Sequence, residues 1–345
     1  MLPTLERLLI GVINSHPLAK ENVVDQPTVL VTRRIPEAGL ALLRAAAALR
    51  LWDSDQPMPR AELLHQVADA DALLCLLTDR VDGELLAAAP RLRVVANMAV
   101  GYDNLDLPAL AARGVVATNT PGVLTETTAD LAFALLLAVA RRLPEGARYV
   151  RAGQWTTWDP LLLLGHDAHG ATLGIAGLGR IGAAVARRAA GFGMTILYTA
   201  RGRQKAAETA TGARRVEFPE LLAASDFVTI HLPLTPETHH LFDAAALRQM
   251  RPTAYLVNTA RGPVVDPAAL YQALKEGWIG GAGLDVTEPE PLPADHPLLT
   301  LPNCLVVPHV GSASVATRDR MATLAAENVV AVLHGRPALT PIPFR

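Results

Sequence analysis

This 345-residue sequence has few cysteines, a small net charge and few long hydrophobic runs. Its two cysteines, Cys75 and Cys304, lie in apolar runs, which favours buried thiols in a reducing compartment over a disulfide. The longest apolar run, residues 131–140, reaches about half the length of a membrane span and is therefore predicted to be a buried helix. The formal net charge is −2 and no basic run occurs, which argues against a nucleic-acid partner. We therefore expect a cytoplasmic protein that binds neither membranes nor nucleic acids.

Strand-like and helical segments alternate along the chain, and 50% of the residues are apolar, which is enough for two cores. One series begins with "TVLVT" (28–32) and includes "ALLCLL" and "RLRVVANMAV"; a second series of six strands runs from "TLGIAGLG" to "CLVVPHV". A helix over residues 125–143 connects the two series, and a last helix over 314–335 is expected to pack back on the first. This alternation predicts an α/β fold with two doubly wound parallel sheets.

The predicted boundaries follow from this order of elements. Residues 27–124 and 312–345 are assigned to a substrate domain, and residues 125–311 to a dinucleotide-binding domain. Residues 1–26 form an N-terminal extension without an assigned role, for which a weak targeting segment, a short extra helix and a simple tail stay open.

A glycine-rich segment, "GLGRIG" (177–182), follows a predicted strand and opens a predicted helix. In dinucleotide-binding folds the first glycine, here Gly177, makes a tight turn. The second, Gly179, lets the backbone approach a pyrophosphate, and the third, Gly182, allows close helix–strand contact. Free N–H groups at the start of the helix then face the phosphates. A plain turn and a site for S-adenosylmethionine are the alternatives, but the strand before and the helix after favour a dinucleotide.

The acidic residue that usually binds the adenine ribose is missing. It is expected about 20 residues beyond the glycines, where this chain has "ILYTARGRQ", with Ala200 followed by Arg201 and Arg203. An acid there would repel a 2′-phosphate, whereas guanidinium groups bind one through paired hydrogen bonds. The substitution therefore favours NADP(H) over NAD(H), unless both arginines are solvated surface residues.

Three ionisable residues of different type follow predicted strands of the second series. Arg261 lies in "NTARGPVVD", Glu290 in "GLDVTEPEP" and His309 in "PHVGSAS". Each alone could be structural: a capping cation, a solvated turn residue and a buried histidine. Because ligands of open α/β sheets bind beyond the carboxyl ends of the strands, their joint occurrence predicts an active site.

These motifs resemble the D-isomer-specific 2-hydroxyacid dehydrogenases, and among them the glyoxylate/hydroxypyruvate reductases. The matching segments span residues 28 to about 340 and include "AVGYDNLDL", "WTTWDPLLLLGH", "GLGRIG", "NTARGPVVD", "GLDVTEPEPLP" and "PHVGSAS". The resemblance implies a Rossmann cofactor domain inserted in a flavodoxin-like substrate domain. It also implies NAD(P)H-dependent reduction of glyoxylate and hydroxypyruvate by a homodimer.

The resemblance further implies a role for each site residue. Arg261 would hold the carboxylate and carbonyl oxygen of a 2-oxo acid and polarise the carbonyl. His309 would protonate the developing alkoxide, and Glu290 would fix the tautomer of His309 and favour its protonated form. Backbone N–H groups at Val100 and Gly101 would bind the substrate carboxylate, with Gly101 allowing close approach.

Two more sets of residues complete the expected site. A dimerisation arm at about residues 145–168 would bring a tryptophan to the partner's substrate, with Trp158 the candidate and Trp155 the second choice; packing within one chain is the alternative. The residues assigned to the cofactor are Gly177, Leu178, Gly179, Arg180, Ile181, Gly182, Ala200, Arg201, Arg203, Leu232, Pro233, Thr259, Ala260, Asp285, His309 and Gly311.

Other functions stay open at this point. A different small 2-oxo acid, such as 2-ketogluconate or a phosphoglycerate-derived one, could be the substrate. Formate is disfavoured, because formate-oxidising relatives have glutamine where this chain has Glu290. A nucleotide-sensing corepressor is an alternative of a different class. No metal site is predicted: His166 and His169 are expected in a linker or interface, and His239 and His240 at the surface.

Overall fold

A computed structural model describes residues 26–344 of the chain. The prediction for the N-terminal extension therefore falls almost entirely outside the described residues. None of the helices within residues 26–344 combines the length and apolar character needed to cross a bilayer.

The first sheet is parallel and has the strand order β2-β1-β3-β4-β5. This is the order of flavodoxin-like folds. Its strands are β1 (Thr28–Val31), β2 (Ala48–Leu51), β3 (Ala72–Cys75), β4 (Val94–Asn97) and β5 (Val116–Thr118). The helices between them are α1 (Glu37–Ala46), α2 (Arg60–Gln66), α3 (Gly83–Ala88) and α4 (Leu107–Ala112).

The second sheet is also parallel and contains seven strands within the described residues, in the order β12-β11-β10-β9-β6-β7-β8. Counted from β6, this is the order of a Rossmann fold extended by one strand. Its strands are β6 (Thr172–Ala176), β7 (Thr195–Thr199), β8 (Arg214–Arg215), β9 (Phe227–Ile230), β10 (Tyr255–Asn258), β11 (Gly281–Leu284) and β12 (Cys304–Val306). The predicted fold class is confirmed, but the prediction of six strands was wrong: β8 is a two-residue edge strand whose arginines give no strand pattern.

Eight α-helices flank or connect the sheets from residue 125 onwards in the described chain. They are α5 (Thr125–Ala140), α6 (Leu143–Arg151), α7 (Arg180–Gly191), α8 (Lys205–Thr211), α9 (Phe218–Ala224), α10 (Ala244–Gln249) and α11 (Pro267–Glu276), followed by the C-terminal α12 (Val315–Leu333). Several helices begin where a side-chain oxygen accepts a backbone N–H of the first turn: Asp82, Asp106, Asp243, Asp266 and Ser314.

The last helix packs against the first sheet, as expected from the sequence. Met321, Ala325 and Val329 of α12 share a buried core with β1, β3 and β4. Gly39 of α1 allows this packing, because a Cβ atom there would lie 2.7 Å from the carbonyl oxygen of Ala322. The chain thus leaves the first sheet, builds the second and returns to the first. The domain limits at residues 124 and 312 stay a prediction.

The segment predicted as a dimerisation arm carries apolar side chains with little cover from this chain. Beyond α6, Trp155 is 63% exposed and Trp158 is 78% exposed. Leu161 and Leu164 are also exposed. Such a cluster of solvent-exposed apolar surface is typical of an interaction site.

Candidate active site

The three ionisable residues singled out in the sequence lie together at the carboxyl ends of adjacent strands. Arg261 follows β10, Glu290 follows β11 and His309 follows β12, and these three strands are hydrogen-bonded neighbours. Because the strands are parallel, their carboxyl ends share one edge of the sheet, which is where such folds bind ligands.

His309 and Glu290 form a hydrogen-bonded pair, with Nδ1 of His309 lying 2.6 Å from Oε1 of Glu290. The His309 backbone has a left-handed φ of 52°, and its N–H donates to the Asp285 carbonyl at 2.9 Å. Partial burial alone would raise the pKa of Glu290. The His309 hydrogen bond, the charge of His309, the Thr287 N–H and the charge of Arg261 outweigh it, so the pKa lies below its ordinary value. Glu290 is therefore a carboxylate in this pair, and its negative charge lies next to the imidazole of His309.

Arg261 is held by hydrogen bonds to loops that follow strands of both sheets. Within its own loop, its Nη1 donates to the Ala260 carbonyl at 2.8 Å, and buried Asn258 donates from Nδ2 to the Arg261 carbonyl at 2.9 Å. From the loop after β4, the Asp103 carboxylate accepts from Arg261 Nε at 3.0 Å. Glycine at position 101 allows this close approach, because a Cβ atom there would lie 1.5 Å from Arg261 Nη2. The guanidinium group thus contacts loops that belong to both sheets.

The loop at Val100 and Gly101 is fixed by asparagine side chains. Asn97 donates from Nδ2 to the Gly101 carbonyl at 2.9 Å, and Asn119 donates to the Val100 carbonyl at 2.8 Å. With both carbonyls occupied in this way, the peptide N–H groups are the part of the loop left for an anionic ligand. Asn97, Asp103, Asn119 and Asn258 were not identified from the sequence, although Asp103 lies within the segment "AVGYDNLDL".

The glycine loop has the shape that a pyrophosphate requires. Gly177 adopts a left-handed φ of 97°, and a Cβ atom at Gly182 would lie 2.2 Å from the Gly177 carbonyl oxygen. At Gly179, directly before α7, a Cβ atom would meet no atom within 4 Å, so the backbone faces open space. Leu178 is buried, whereas Arg180 and Ile181 start the helix. These residues fit a dinucleotide at the helix N-terminus.

Buried polar groups directly follow β10 and β11. The Asp285 carboxylate accepts the N–H groups of Val310 at 2.6 Å and Gly311 at 2.8 Å. Desolvation raises the pKa of Asp285 despite these bonds. The Oγ1 atom of Thr259 is buried without a hydrogen-bond partner in the described chain, which suits a polar ligand atom. Leu232 packs beside Gly177, and Pro233 follows it in the same loop.

The two arginines after β7 differ in their contacts. Arg203 donates from Nε to both oxygens of Glu208, at 3.0 and 2.9 Å, and the same carboxylate accepts from the Tyr198 hydroxyl at 2.6 Å. Arg201 is exposed. Arg215 of β8 donates to the Ala200 carbonyl from two nitrogens at 3.2 Å, which adds a third guanidinium that the sequence alone did not indicate.

The histidines outside the site behave in different ways. His166 lies 2.9 Å from the Tyr255 hydroxyl through Nδ1, and His169 Nδ1 lies 3.1 Å from the Phe192 carbonyl. His239 and His240, expected at the surface, lie beside Glu288, with one potential ligand atom of each within 4.8 Å of the others. Sequence spacing could not show this, because 48 residues separate His240 from Glu288. The cysteines are free; Cys75 is buried, but Cys304 is only partly so.

Comparison with known proteins places this geometry in a family. A sequence profile for "D-isomer specific 2-hydroxyacid dehydrogenase, NAD binding domain" matches residues 133–311. A glyoxylate reductase of Korarchaeum cryptofilum is 55% identical over 311 residues, covering 90% of this chain and 94% of the relative. A glyoxylate reductase of Thermococcus litoralis is 50% identical over 314 residues, covering 90% and 95%.

Solved structures share the fold over most of the chain. A Thermus thermophilus protein superposes with a TM-score of 0.87 and 48% identity, covering 92% of this chain and 100% of that one. An NADPH-dependent glyoxylate/hydroxypyruvate reductase from Sinorhizobium meliloti, crystallised with NADP and malonate, gives a TM-score of 0.83 at 37% identity, covering 93% and 98%.

Proposed function

The chain belongs to the D-isomer-specific 2-hydroxyacid dehydrogenase family and is an NAD(P)-dependent oxidoreductase; from this premise we propose that it reduces glyoxylate to glycolate and hydroxypyruvate to D-glycerate, with NADPH preferred over NADH. The observation that carries the proposal is the His309–Glu290 pair at 2.6 Å beside the guanidinium of Arg261. An acid and a carboxylate-binding cation in one cleft are what reduction of a 2-oxo acid requires.

In this proposal each residue has one task. Arg261 binds the substrate carboxylate and its carbonyl oxygen, so that positive charge faces the oxygen on which negative charge develops. The Val100–Gly101 backbone binds the carboxylate from the other side of the cleft. His309 donates a proton to the alkoxide, and the Glu290 carboxylate stabilises the protonated imidazole before the transfer. The nicotinamide supplies the hydride when bound.

The preference for NADPH rests on the arginines after β7. No acid occupies position 200, and Arg201 is free to turn towards a 2′-phosphate, while Arg203 keeps its Nη groups beyond the Nε contact with Glu208. A charge-assisted hydrogen bond of this kind contributes about 1.5–3 kcal/mol, which corresponds to roughly ten- to a hundredfold in cofactor selectivity. The NADPH-dependent Sinorhizobium relative supports the same assignment.

A homodimer completes the proposed assembly. The exposed tryptophans and leucines of the arm offer an apolar surface that a second copy would cover. Trp158, the most exposed of the four, is the residue proposed to reach the partner's substrate site.

Steady-state reduction of glyoxylate and hydroxypyruvate, followed by the loss of NADPH or NADH absorbance, tests the proposal. We expect turnover of both substrates and a higher kcat/KM with NADPH. The double variant Arg201→Ala/Arg203→Ala should lose this preference and keep its turnover with NADH. Arg34→Ala/Arg44→Ala, which removes two arginines from surface ion pairs of the first sheet domain, is the matched control. Absence of turnover with either acid would overturn the substrate assignment, and equal efficiency with NADH would overturn the cofactor preference.

A further inference from the structure

We propose that His239, His240 and Glu288, here called the histidine–glutamate cluster, form a binding site for a divalent transition-metal ion of the Zn²⁺ class. The cluster lies outside the proposed substrate and cofactor contacts, and this inference holds whichever 2-oxo acid is reduced. One potential ligand atom from each side chain lies within 4.8 Å of the other two.

The backbone brings the two neighbouring imidazoles to the same side. Adjacent residues in an extended chain point in opposite directions, but His240 has a left-handed φ of 50°. As a result the two rings stack with their centroids 3.9 Å apart. The turn that carries them is closed by hydrogen bonds from the N–H groups of Thr238 and His239 to the Thr235 carbonyl, at 3.1 and 3.0 Å.

Glu288 reaches the pair from a different loop. The His240 N–H donates to the Pro263 carbonyl at 2.8 Å, which anchors the turn to the segment after Arg261. A Cβ atom at Gly262 would lie 1.9 Å from the Thr287 carbonyl oxygen, so that segment also touches the loop of Glu288. The Glu288 Oε2 atom lies 2.7 Å from His240 Nε2. Backbone contacts of both loops therefore fix the distance between the donors.

The donor set selects the kind of ion. Two imidazoles and one carboxylate suit Zn²⁺ and its neighbours in the first transition series, whereas Mg²⁺ and Ca²⁺ prefer oxygen ligands alone. In a tetrahedral site with bonds of roughly 2.0–2.2 Å the ligand atoms are about 3.3 Å apart. The donor atoms of the cluster lie within 4.8 Å of one another, so side-chain movements of up to about 1.5 Å bring them to that spacing. The ion replaces the hydrogen of the bond between His240 and Glu288. Because His239 is exposed, a water molecule can occupy the fourth coordination position.

Binding at this site restrains a loop that carries a residue of the proposed reaction. Glu288 is two residues before Glu290, and Glu290 holds His309. An ion would link this loop to the turn at Thr235–His240 by three strong bonds in place of one hydrogen bond. The site is thus placed to modulate the chain's chemistry without touching the substrate.

Titration of the full-length, untagged protein with Co²⁺ tests the site, because the visible absorption of Co²⁺ reports its geometry independently of turnover. Wild type is compared with His239→Phe, which keeps a stacked ring without a donor nitrogen, and with His240→Asn, a residue type that tolerates the left-handed backbone. His169→Ala removes an exposed histidine outside the cluster and is the matched control. Thermal melts establish that all four proteins are folded.

We expect each cluster variant to bind one Co²⁺ fewer per chain than wild type, or to bind it with affinity weakened by roughly tenfold or more. His169→Ala should retain the wild-type ion count and spectrum. Zn²⁺ added to the Co²⁺-loaded wild type should displace the absorbing ion. Absence of Co²⁺ binding by wild type at millimolar concentration, or unchanged count and spectrum in either cluster variant, would overturn the proposal.

Discussion

Replacing Gly101 by alanine is expected to reduce kcat/KM for a 2-oxo acid by about 100-fold while leaving the fold intact. The added Cβ atom would lie 1.5 Å from Nη2 and 2.6 Å from Cζ of Arg261. Gly101 does not have a left-handed φ, so alanine fits the backbone, and the severe conflict is with the guanidinium group, beside a tighter-than-usual contact of 3.1 Å to Asp103 Oδ1.

The size of the displacement follows from ordinary contact distances. A methyl group needs about 3.4 Å, so Nη2 must move by about 2 Å. The guanidinium can do this, because it ends a flexible side chain that is 23% exposed to the cleft. Its Nε bond to Asp103 is then lost, and the cation no longer meets the substrate carboxylate and carbonyl. A misplacement of 1 Å already lowers rates by about 100-fold in well-organised sites.

Stability separates this effect from unfolding. The partly exposed Arg261–Asp103 pair contributes no more than about 1 kcal/mol, so the melting temperature should change by only a few degrees. Gly83→Ala is the matched control, since a Cβ atom there meets nothing within 4 Å. Both variants are assayed with saturating cofactor and varied substrate. A Gly101→Ala enzyme with wild-type kcat/KM would refute the claim that Arg261 binds substrate from its observed position.

Glu290→Gln is expected to weaken the acid dependence of stability. Because the pKa of Glu290 is lowered on folding, its carboxylate stabilises the folded chain above about pH 4.5, and this contribution is lost as the pH falls through the lowered value. If the melting temperatures of variant and wild type fell in parallel as the pH is lowered, this prediction would be contradicted. Glu208→Gln, which removes the carboxylate that offsets the charge of Arg203, should lower the KM for NADPH about two- to fivefold and leave that for NADH unchanged. An equal change for both cofactors would assign Glu208 a merely structural role. Leu161→Asp should shift the protein to monomers in size-exclusion chromatography, whereas an unchanged elution volume would exclude this part of the arm from the interface.

The elements predicted most accurately from the sequence are those fixed by backbone topology. Buried parallel strands such as β9 and β10 are short apolar runs bounded by turns, so their existence is visible in the sequence and their ends are predicted to within two residues. Residues directly after such strands share one edge, and the proximity of Arg261, Glu290 and His309 follows from that rule. Strand β8 was missed because Arg214 and Arg215 carry no apolar pattern and are recruited by the neighbouring β7.

The contacts that escaped prediction join loops that are distant in sequence. Asp103 and Arg261 are 158 residues apart, and no local pattern in the sequence shows that the loops carrying them meet. Asn97 and Asn258 look like ordinary strand-terminal polar residues, yet both hold loops of the candidate site through side-chain hydrogen bonds. Nothing local in the sequence distinguishes such residues from solvated ones, because their partners are set by tertiary packing.

The arginines after β7 show that residue types in the sequence do not reveal how charge is balanced within a loop. The missing acid at Ala200 is a sequence fact, and it directs attention equally to Arg201 and Arg203. In the folded chain the Glu208 carboxylate already offsets the charge of Arg203, while Arg215 is placed against the Ala200 carbonyl. A 2′-phosphate approaching this loop would therefore meet Arg201 as its least engaged cation, with Arg203 and Arg215 held by contacts of their own. The proposed selectivity for NADPH then depends on how the loop distributes its charge, and not only on how many arginines follow the strand.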